Sequence, residues 1–214
     1  DNNRFNLKNS FSFFDREIET GDYIFAGKQF ASYNEASVVF GTDKMEWVGG
    51  LNLWVDRFEQ DVLTDAPVVD YEHLTYGAFI QNNWTATDWF QLETGLRTDY
   101  QNEYGWFVLP RISAMFTISD AITTRIGGGM GYKTPSVFTE DAERLQFRNV
   151  MPIDVSTTEA ENSIGGNFDI NYRTELFETI EFTNVSIFSI SSLEIGFMWL
   201  KSNLNLLGST KEPF

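Results

Sequence analysis

The chain has 214 residues, no cysteine and a net charge of −16. Without thiols it has no disulfides, thiolate metal sites or cysteine nucleophiles, and its acidity has the wrong sign for gripping phosphate, which argues against a nucleic-acid partner. Twenty Phe, eight Tyr and six Trp beside sixteen Gly and only five Pro favour strands over helices, and no apolar run approaches the roughly 18 residues of a membrane-crossing helix.

The hydrophobic period along most of the chain is two, which marks strands with one apolar face. Phe5, Leu7, Phe11 and Phe13 alternate with Arg4, Asn6, Lys8, Ser10 and Ser12 in a first strand over 4–14. A weaker strand over 31–41 carries Glu35 near its middle, and the next, over 45–58, places Trp54 with Asn52 and Asp56 on its polar side. Leu74, Tyr76, Ala78, Ile80 and Trp84 share a face in 74–86. The pattern is cleanest from there: Phe90, Leu92 and Leu96 in 89–101, Val108 to Ile118 in 106–118, Ile122 to Tyr132 in 121–133, and Ile164 to Tyr172 in 160–173, with no charge on any of these apolar faces. A last strand is predicted over 178–190, and the alternation fades from Ser191. The resulting division is an all-β antiparallel up-and-down meander of about nine or ten strands over 1–190, followed by an atypical C-terminal segment over 191–214.

Strand length and connection length carry a second signal. The strands run to about 10–14 residues, whereas soluble strands average about 5–6 and a tilted strand needs about 9–11 to cross a bilayer. Short links near Gly41–Lys44, Thr87–Asp88, Ser119–Asp120 and Arg173–Phe177 alternate with long ones at Asp15–Phe30, Gln60–His73 and Thr134–Glu159, with one short exception at Asn102–Gly105. Tight turns at one end and long loops at the other are what outer-membrane barrels show. Trp47, Trp84, Trp89, Phe90, Tyr132 and Tyr172 sit near strand ends, where interfacial aromatic girdles belong. Alternation alone leaves the rival open: a small closed barrel in water would point the same apolar face inward, around an apolar ligand.

Chemistry-bearing motifs are few. Gly127–Thr134 resembles a phosphate loop but has Tyr132 where the glycine before Lys133 is required, and it continues a strand. His73 is the single histidine and reads as a surface-loop residue; no metal or cofactor site is expected. Asp61, Asp65, Asp70 and Glu72 crowd one long loop without EF-hand spacing. Nothing supports a catalytic carboxylate pair, so a surface hydrolase is the weakest reading and no enzymatic activity is expected. Glu93, Arg97, Asp99, Arg111, Arg125 and Lys133 all fall on the polar faces of three consecutive strands, an arrangement that fits a cross-strand ion-pair lattice or a polar wall that docks another domain or guides a solute.

Tyr76-Gly77-Ala78-Phe79-Ile80-Gln81-Asn82, Leu92 to Tyr100, Leu109-Pro110-Arg111-Ile112-Ser113 and Arg125 to Pro135, with its Gly-Tyr-Lys-x-Pro opening into a long loop, resemble successive barrel strands of TonB-dependent outer-membrane receptors. The resemblance covers roughly 4–190. It implies a Gram-negative outer-membrane β-barrel of about 22 strands, filled by a plug domain, that takes up a scarce small-molecule solute such as a siderophore, cobalamin or a glycan. The partners it implies are outer-membrane lipid, the receptor's own plug and the TonB–ExbB–ExbD complex. The sequence shows neither plug nor TonB-contacting box, so a partial receptor that does not transport alone is expected. The six polar-face residues would line the lumen, and Asp65, Asp70, Glu72, Phe138 and Arg144 are the candidate ligand contacts in the external loops.

Overall fold

The structure, a computed structural model, describes residues 3–21, 23–61, 68–138, 140–145, 147, 150–176 and 180–193. Nine strands follow one another in a single antiparallel sheet without a crossover. They are β1 (Arg4–Thr20), β2 (Tyr23–Thr42), β3 (Met45–Gln60), β4 (Tyr71–Thr87), β5 (Phe90–Gln101), β6 (Gly105–Ser119), β7 (Ile122–Lys133), β8 (Glu161–Leu176) and β9 (Ile180–Leu193), with a short helix α1 (Glu140–Arg144) between β7 and β8. No helix among the described residues is long and apolar enough to cross a membrane, which says nothing of strands. The segment 194–214 lies outside the described residues.

The register sorts the side chains into two faces. One row across the sheet runs Leu7, Ala36, Leu51, Ala78, Thr98 and Val108. The adjacent row, on the other face, runs Lys8, Glu35, Asn52, Gly77, Asp99 and Phe107. The apolar row is the exposed one: Leu7, Leu51 and Val108 are 63%, 66% and 56% accessible, whereas Asn52 is 6% and Asp99 1% accessible. A closed soluble barrel would bury the apolar face and wet the polar one; here the order is inverted.

The exposed face is bounded by aromatic rows. Tyr76, Tyr100 and Trp106 are neighbours across β4–β6, with the Tyr100 and Trp106 rings 5.2 Å apart. Toward the other end Phe90 and Phe116 pair at 5.2 Å, and the Trp89 ring lies 5.7 and 6.4 Å from them. Tyr100 and Phe90 bracket ten residue steps of β5, about 33 Å at ~3.3 Å per residue. At the 35–45° tilt of barrel strands that is a band about 25 Å tall.

The connections confirm the asymmetry with one correction. Tight turns at Asp43–Lys44, Asp88–Trp89 and Asp120–Ala121 occupy one end. The other end carries the 61–70 loop, the Asn102–Tyr104 turn and the long segment 134–160. The expected long loop over Asp15–Phe30 is instead a hairpin extension: β1 and β2 stay paired up to Thr20–Tyr23 and turn at Gly21, whose φ is 63°. The alternation reverses there because the hairpin rises past the aromatic band: Asp15, Glu17 and Glu19 put charge on the outer face, in water, while Ile18 and Phe25 on the other face pack into the hydrophobic core.

The hydrophobic core sits at this loop end, on the polar-face side of the sheet. Phe25, Phe58, Val69, Val137, Ala142 and Phe147 are buried together, with Ile18, Tyr23, Tyr71, Phe138, Val150 and Ile153 packed around them. The segment 134–160 leaves β7 and folds across the ends of β1–β4 to form this cluster.

Candidate functional site

The polar face is built from strand alternation, and its central row forms a hydrogen-bonded chain. The Lys8 ammonium donates to Glu35 at 3.1 Å, and the Tyr33 hydroxyl donates to the same carboxylate at 2.6 Å. Arg97 Nε donates to both Asp99 oxygens at 2.8 and 3.0 Å, and its Nη2 reaches Asn52 Oδ1 at 3.4 Å. The Tyr132 hydroxyl donates to Asp99 Oδ2 at 3.0 Å. A buried carboxylate persists only when charge and hydrogen bonds satisfy it, and Asp99 has both. Gly77 makes this convergence possible: a Cβ there would lie 2.5 Å from Asn52 Oδ1 and from Asp99 Oδ1.

Beside this chain opens a cavity of about 410 Å³ lined by Trp54, Asp56, His73, Thr75, Arg97, Asp99, Leu109 and Gly131–Thr134. Trp54 stands half exposed on this otherwise polar face. Gln29 and Tyr71 donate to Asp56 at 2.8 and 3.4 Å. Lys133 makes no ion pair within the described residues. The β6–β7 ladder ends at Arg111–Gly129, short of the loop end. Freed from β6, Tyr132 leaves the outer aromatic girdle to which its position in the alternation assigned it. Its ring lies flat on Phe107, with centroids 3.8 Å apart, and joins the cavity wall. His73, expected as a surface-loop residue, is a half-buried member of β4 with the Tyr71 ring 4.9 Å away.

The six expected polar-wall residues divide into two groups. Arg97, Asp99 and Lys133 line this cavity. Glu93 and Arg125 border a second hollow of about 240 Å³ nearer the tight turns. Arg111 Nε lies 3.6 Å from Glu93, and Arg125 donates to the Met115 sulfur at 3.5 Å. The lattice is therefore sparse: Arg97–Asp99 lies within one strand and Arg111–Glu93 joins two. Among the described residues no three His, Asp or Glu side chains gather as a metal ligand set.

The loop candidates are spread out. Asp65 lies outside the described residues. Asp70 accepts the Gln60 backbone N–H at 2.7 Å while the Gln60 side chain accepts from Val69 N–H at 2.9 Å, a clasp at the neck of the 61–70 loop. Glu72 is exposed, and its carbonyl accepts from Asn102 at 2.9 Å. Phe138 packs edge-on against Phe58, with centroids 5.0 Å apart, and Arg144 ends α1 on the surface. A hollow of about 260 Å³ separates Val69–His73 and Glu103–Tyr104 from Val137, Ile153 and Val155, so His73 lines both this hollow and the larger cavity. Burial, and then the Glu103 charge, pushes the Tyr104 hydroxyl pKa up. In the returning arm of the segment, Ser156 donates from its hydroxyl and its N–H to Asp154, which lowers that carboxyl's pKa.

Sequence reasoning missed Asn52, Trp54, Asp56, Gly77 and Tyr132 as site residues. Trp54 carried a signal, since a large indole among polar neighbours breaks the alternation. Gly77 carried none, because its need for space depends on two strands folded against its own.

Comparison with known proteins agrees with this architecture. No curated protein sequence matches the chain. Among solved structures it resembles the siderophore receptor PirA from Pseudomonas aeruginosa, with a TM-score of 0.55 at 15% identity over 81% of this chain and 36% of that one. It also resembles a mutant of the ferric enterobactin receptor PfeA from Pseudomonas aeruginosa, with a TM-score of 0.58 at 13% identity over 81% of this chain and 30% of that one. A third likeness is to the copper transporter OprC, with a TM-score of 0.54 at 15% identity over 81% and 34%. The chain thus spans about a third of the length of these structures. The family model for the TonB dependent receptor-like β-barrel matches residues 1–206, and the chain belongs to that family.

Proposed function

We propose that this chain is wall and mouth of an outer-membrane receptor barrel in a Gram-negative bacterium, and that its polar face lines a lumen through which a scarce solute is taken up. The observation that carries the reading is the inverted face: exposed apolar side chains in a band about 25 Å tall between aromatic rows, backed by buried polar groups. In this reading lipid covers the apolar face, and a plug domain and the TonB–ExbB–ExbD complex are the coupling partners of the whole receptor. The solute is an iron–siderophore or other metal chelate, cobalamin or a glycan. The cavity favours one that carries both a flat apolar group for Trp54 and Tyr132 and an acceptor for Lys133. Asp70, Glu72, Phe138 and Arg144 contribute at the mouth as seats for the loops that frame it. No enzymatic step is assigned.

The test is fluorescence in brominated-lipid vesicles, using the protein purified from membranes. Trp106 and Trp89 lie on the outer rows and are quenched, whereas Trp54 is not; replacing each in turn with Phe assigns the signal. Strong quenching retained after removal of Trp89 and Trp106, but lost with Trp54, would reverse the two faces and end the proposal.

A further inference from the structure

We propose that the loop-end half of the β6–β7 seam is a side slot in the barrel wall, stoppered by the Phe107–Tyr132 ring stack. The slot seats a single-chain amphiphile, with its anionic head beside Lys133 and its acyl tail in the outer leaflet. The inference deepens the solute reading of the cavity around Trp54 and rests on it.

The seam opens for a reason written in the sequence. Beyond the last pair, Arg111–Gly129, residues Gly105–Pro110 pair with β5 alone and Met130–Lys133 with β8 alone. The Thr117 N–H donates to the Trp89 carbonyl at 2.9 Å, on the β5 side. Along β6 the odd-numbered residues therefore turn their main chain to β5 and the even-numbered ones to β7. Pro110 is the next residue due to exchange hydrogen bonds with β7 after Ile112, and it has no N–H to give. Past it, Val108 and Trp106 turn their peptide groups into a gap where they have no ladder partner. Pro110 lies four residues from Trp106, so the gap covers about the outer 10 Å of the band, at the depth of the outer leaflet.

Irregular main chain at that depth is tolerated where it lines a water-filled cavity, and hollows meet this gap from both sides. Leu109 on one bank and Gly131–Lys133 on the other line the cavity of about 410 Å³. Trp106, Phe107 and Val108 line another hollow, of about 420 Å³. The Phe107–Tyr132 stack stands between the two, with Phe107 in the wall of one and Tyr132 in the wall of the other. Two side chains thus do here what a ladder does elsewhere, and side chains can turn aside without breaking main-chain bonds. Charge and lining select the occupant. The hollow beside Trp106 carries Glu103 and Glu159, which repel an anionic head. Lys133 stands opposite Glu161 in the β7–β8 register yet makes no ion pair within the described residues, while Asp56 and Asp99 already accept hydrogen bonds from their neighbours. Lys133 therefore attracts the head, and Leu109 and Trp54 offer apolar contact to the first carbons. A tail leaving between Val108 and Met130, both exposed on the apolar face, meets lipid.

The probe is stearate with a nitroxide near its carboxylate, added to vesicles that hold the protein purified from membranes. The readout is Trp54 fluorescence, taken as the difference from the Trp54→Phe variant. Trp54 is expected to be quenched with saturation by the labelled stearate and to stay bright with phosphatidylcholine carrying the same label. No quenching by the stearate overturns the slot. Equal quenching by both lipids puts Trp54 on the lipid side and overturns the solute reading as well. Lys133→Met is expected to weaken the stearate effect about tenfold; an unchanged midpoint overturns the head seat and the proposal with it. The path is read with Phe107→Cys and Tyr132→Cys together, in a chain that has no other cysteine. Joined as a disulfide, the pair is expected to slow quenching about tenfold relative to the same protein reduced. Equal rates mean entry from the loop mouth, which overturns the slot and leaves the cavity reading standing. If the pair does not oxidise, Phe107→Ala removes half of the stopper without touching the cavity wall and is expected to speed quenching about tenfold; a rate within about twofold of the parent overturns the slot. Retention of the folded band on unheated gels qualifies each variant. If Phe107→Ala does not fold, Tyr132→Phe takes its place, with quenching expected about threefold faster and an unchanged rate overturning the slot.

Discussion

Ile112→Arg tests which solvent the apolar face meets. Ile112 is 57% accessible and occupies the outer face of β6, six residues from Trp106 and four from Phe116. Four residues at ~3.3 Å each, on a strand tilted by about 40°, put it about 10 Å above the lower aromatic row. That is close to the middle of a band about 25 Å tall, where an arginine costs about 2–4 kcal/mol in a bilayer. In water the same exposed position would change stability by no more than about 0.5 kcal/mol. The assay is equilibrium urea unfolding of the protein in phospholipid vesicles. Ile118, 66% accessible and two residues past Phe116, is the depth control; Ile118→Arg is expected to cost about 0–1 kcal/mol there. Equal and negligible effects at both positions would refute the lipid-facing reading.

The polar face yields three more expectations. Gly77→Ala places a methyl group onto Asn52 and Asp99; both are side-chain ends, but both are buried and tied to Arg97, so they cannot swing away freely. A loss of about 1–3 kcal/mol is expected in the same unfolding assay. Tyr132→Phe removes one hydrogen bond to the buried Asp99 carboxylate and keeps the Phe107 stack, so a loss of about 1–2 kcal/mol is expected, with no change in near-ultraviolet ring signals. Asp99→Asn leaves Arg97 without its carboxylate; because Arg97 is about one-third exposed, water compensates part of the deficit and the cost is expected near 1–2 kcal/mol rather than the full price of a stranded buried charge.

The strand plan was legible because a period of two survives wherever one face meets an apolar environment and the other does not. β4 to β8 obey that rule, and their predicted bounds fall within a few residues of those found. The rule reverses in the β1–β2 extension, where the outer face is charged and the inner face packs on the aromatic core, and there the hairpin was mistaken for a loop. Alternation alone is symmetric and could not choose inside from outside; strand length, unequal loops and aromatics at the strand ends tilted the choice, and the accessibilities of Leu51 and Asn52 agree with it. Arg97, Asp99 and Lys133 could be placed on one face from spacing alone. Their meeting with Trp54, His73 and Tyr132 depends on strands β3 and β4 and on the early end of the β6–β7 ladder, which no local pattern encodes. The seat of the 134–160 segment was the least legible of all, since its partners, from Ile18 to Tyr71, lie far away in the sequence.

That distance in sequence bears on the order in which the molecule assembles. Every strand pairs with its immediate neighbour in the chain, so the sheet can grow one hairpin at a time, with short turns to close at every step but β3–β4 and β7–β8. The Tyr23–Phe147 hydrogen bond instead joins residues 124 positions apart, a closure whose entropy is repaid only once the intervening strands already hold the two ends together. Docking of the aromatic cluster is therefore a late event, and a protease or antibody that reads the 134–160 segment would report whether β1 through β7 have already come together.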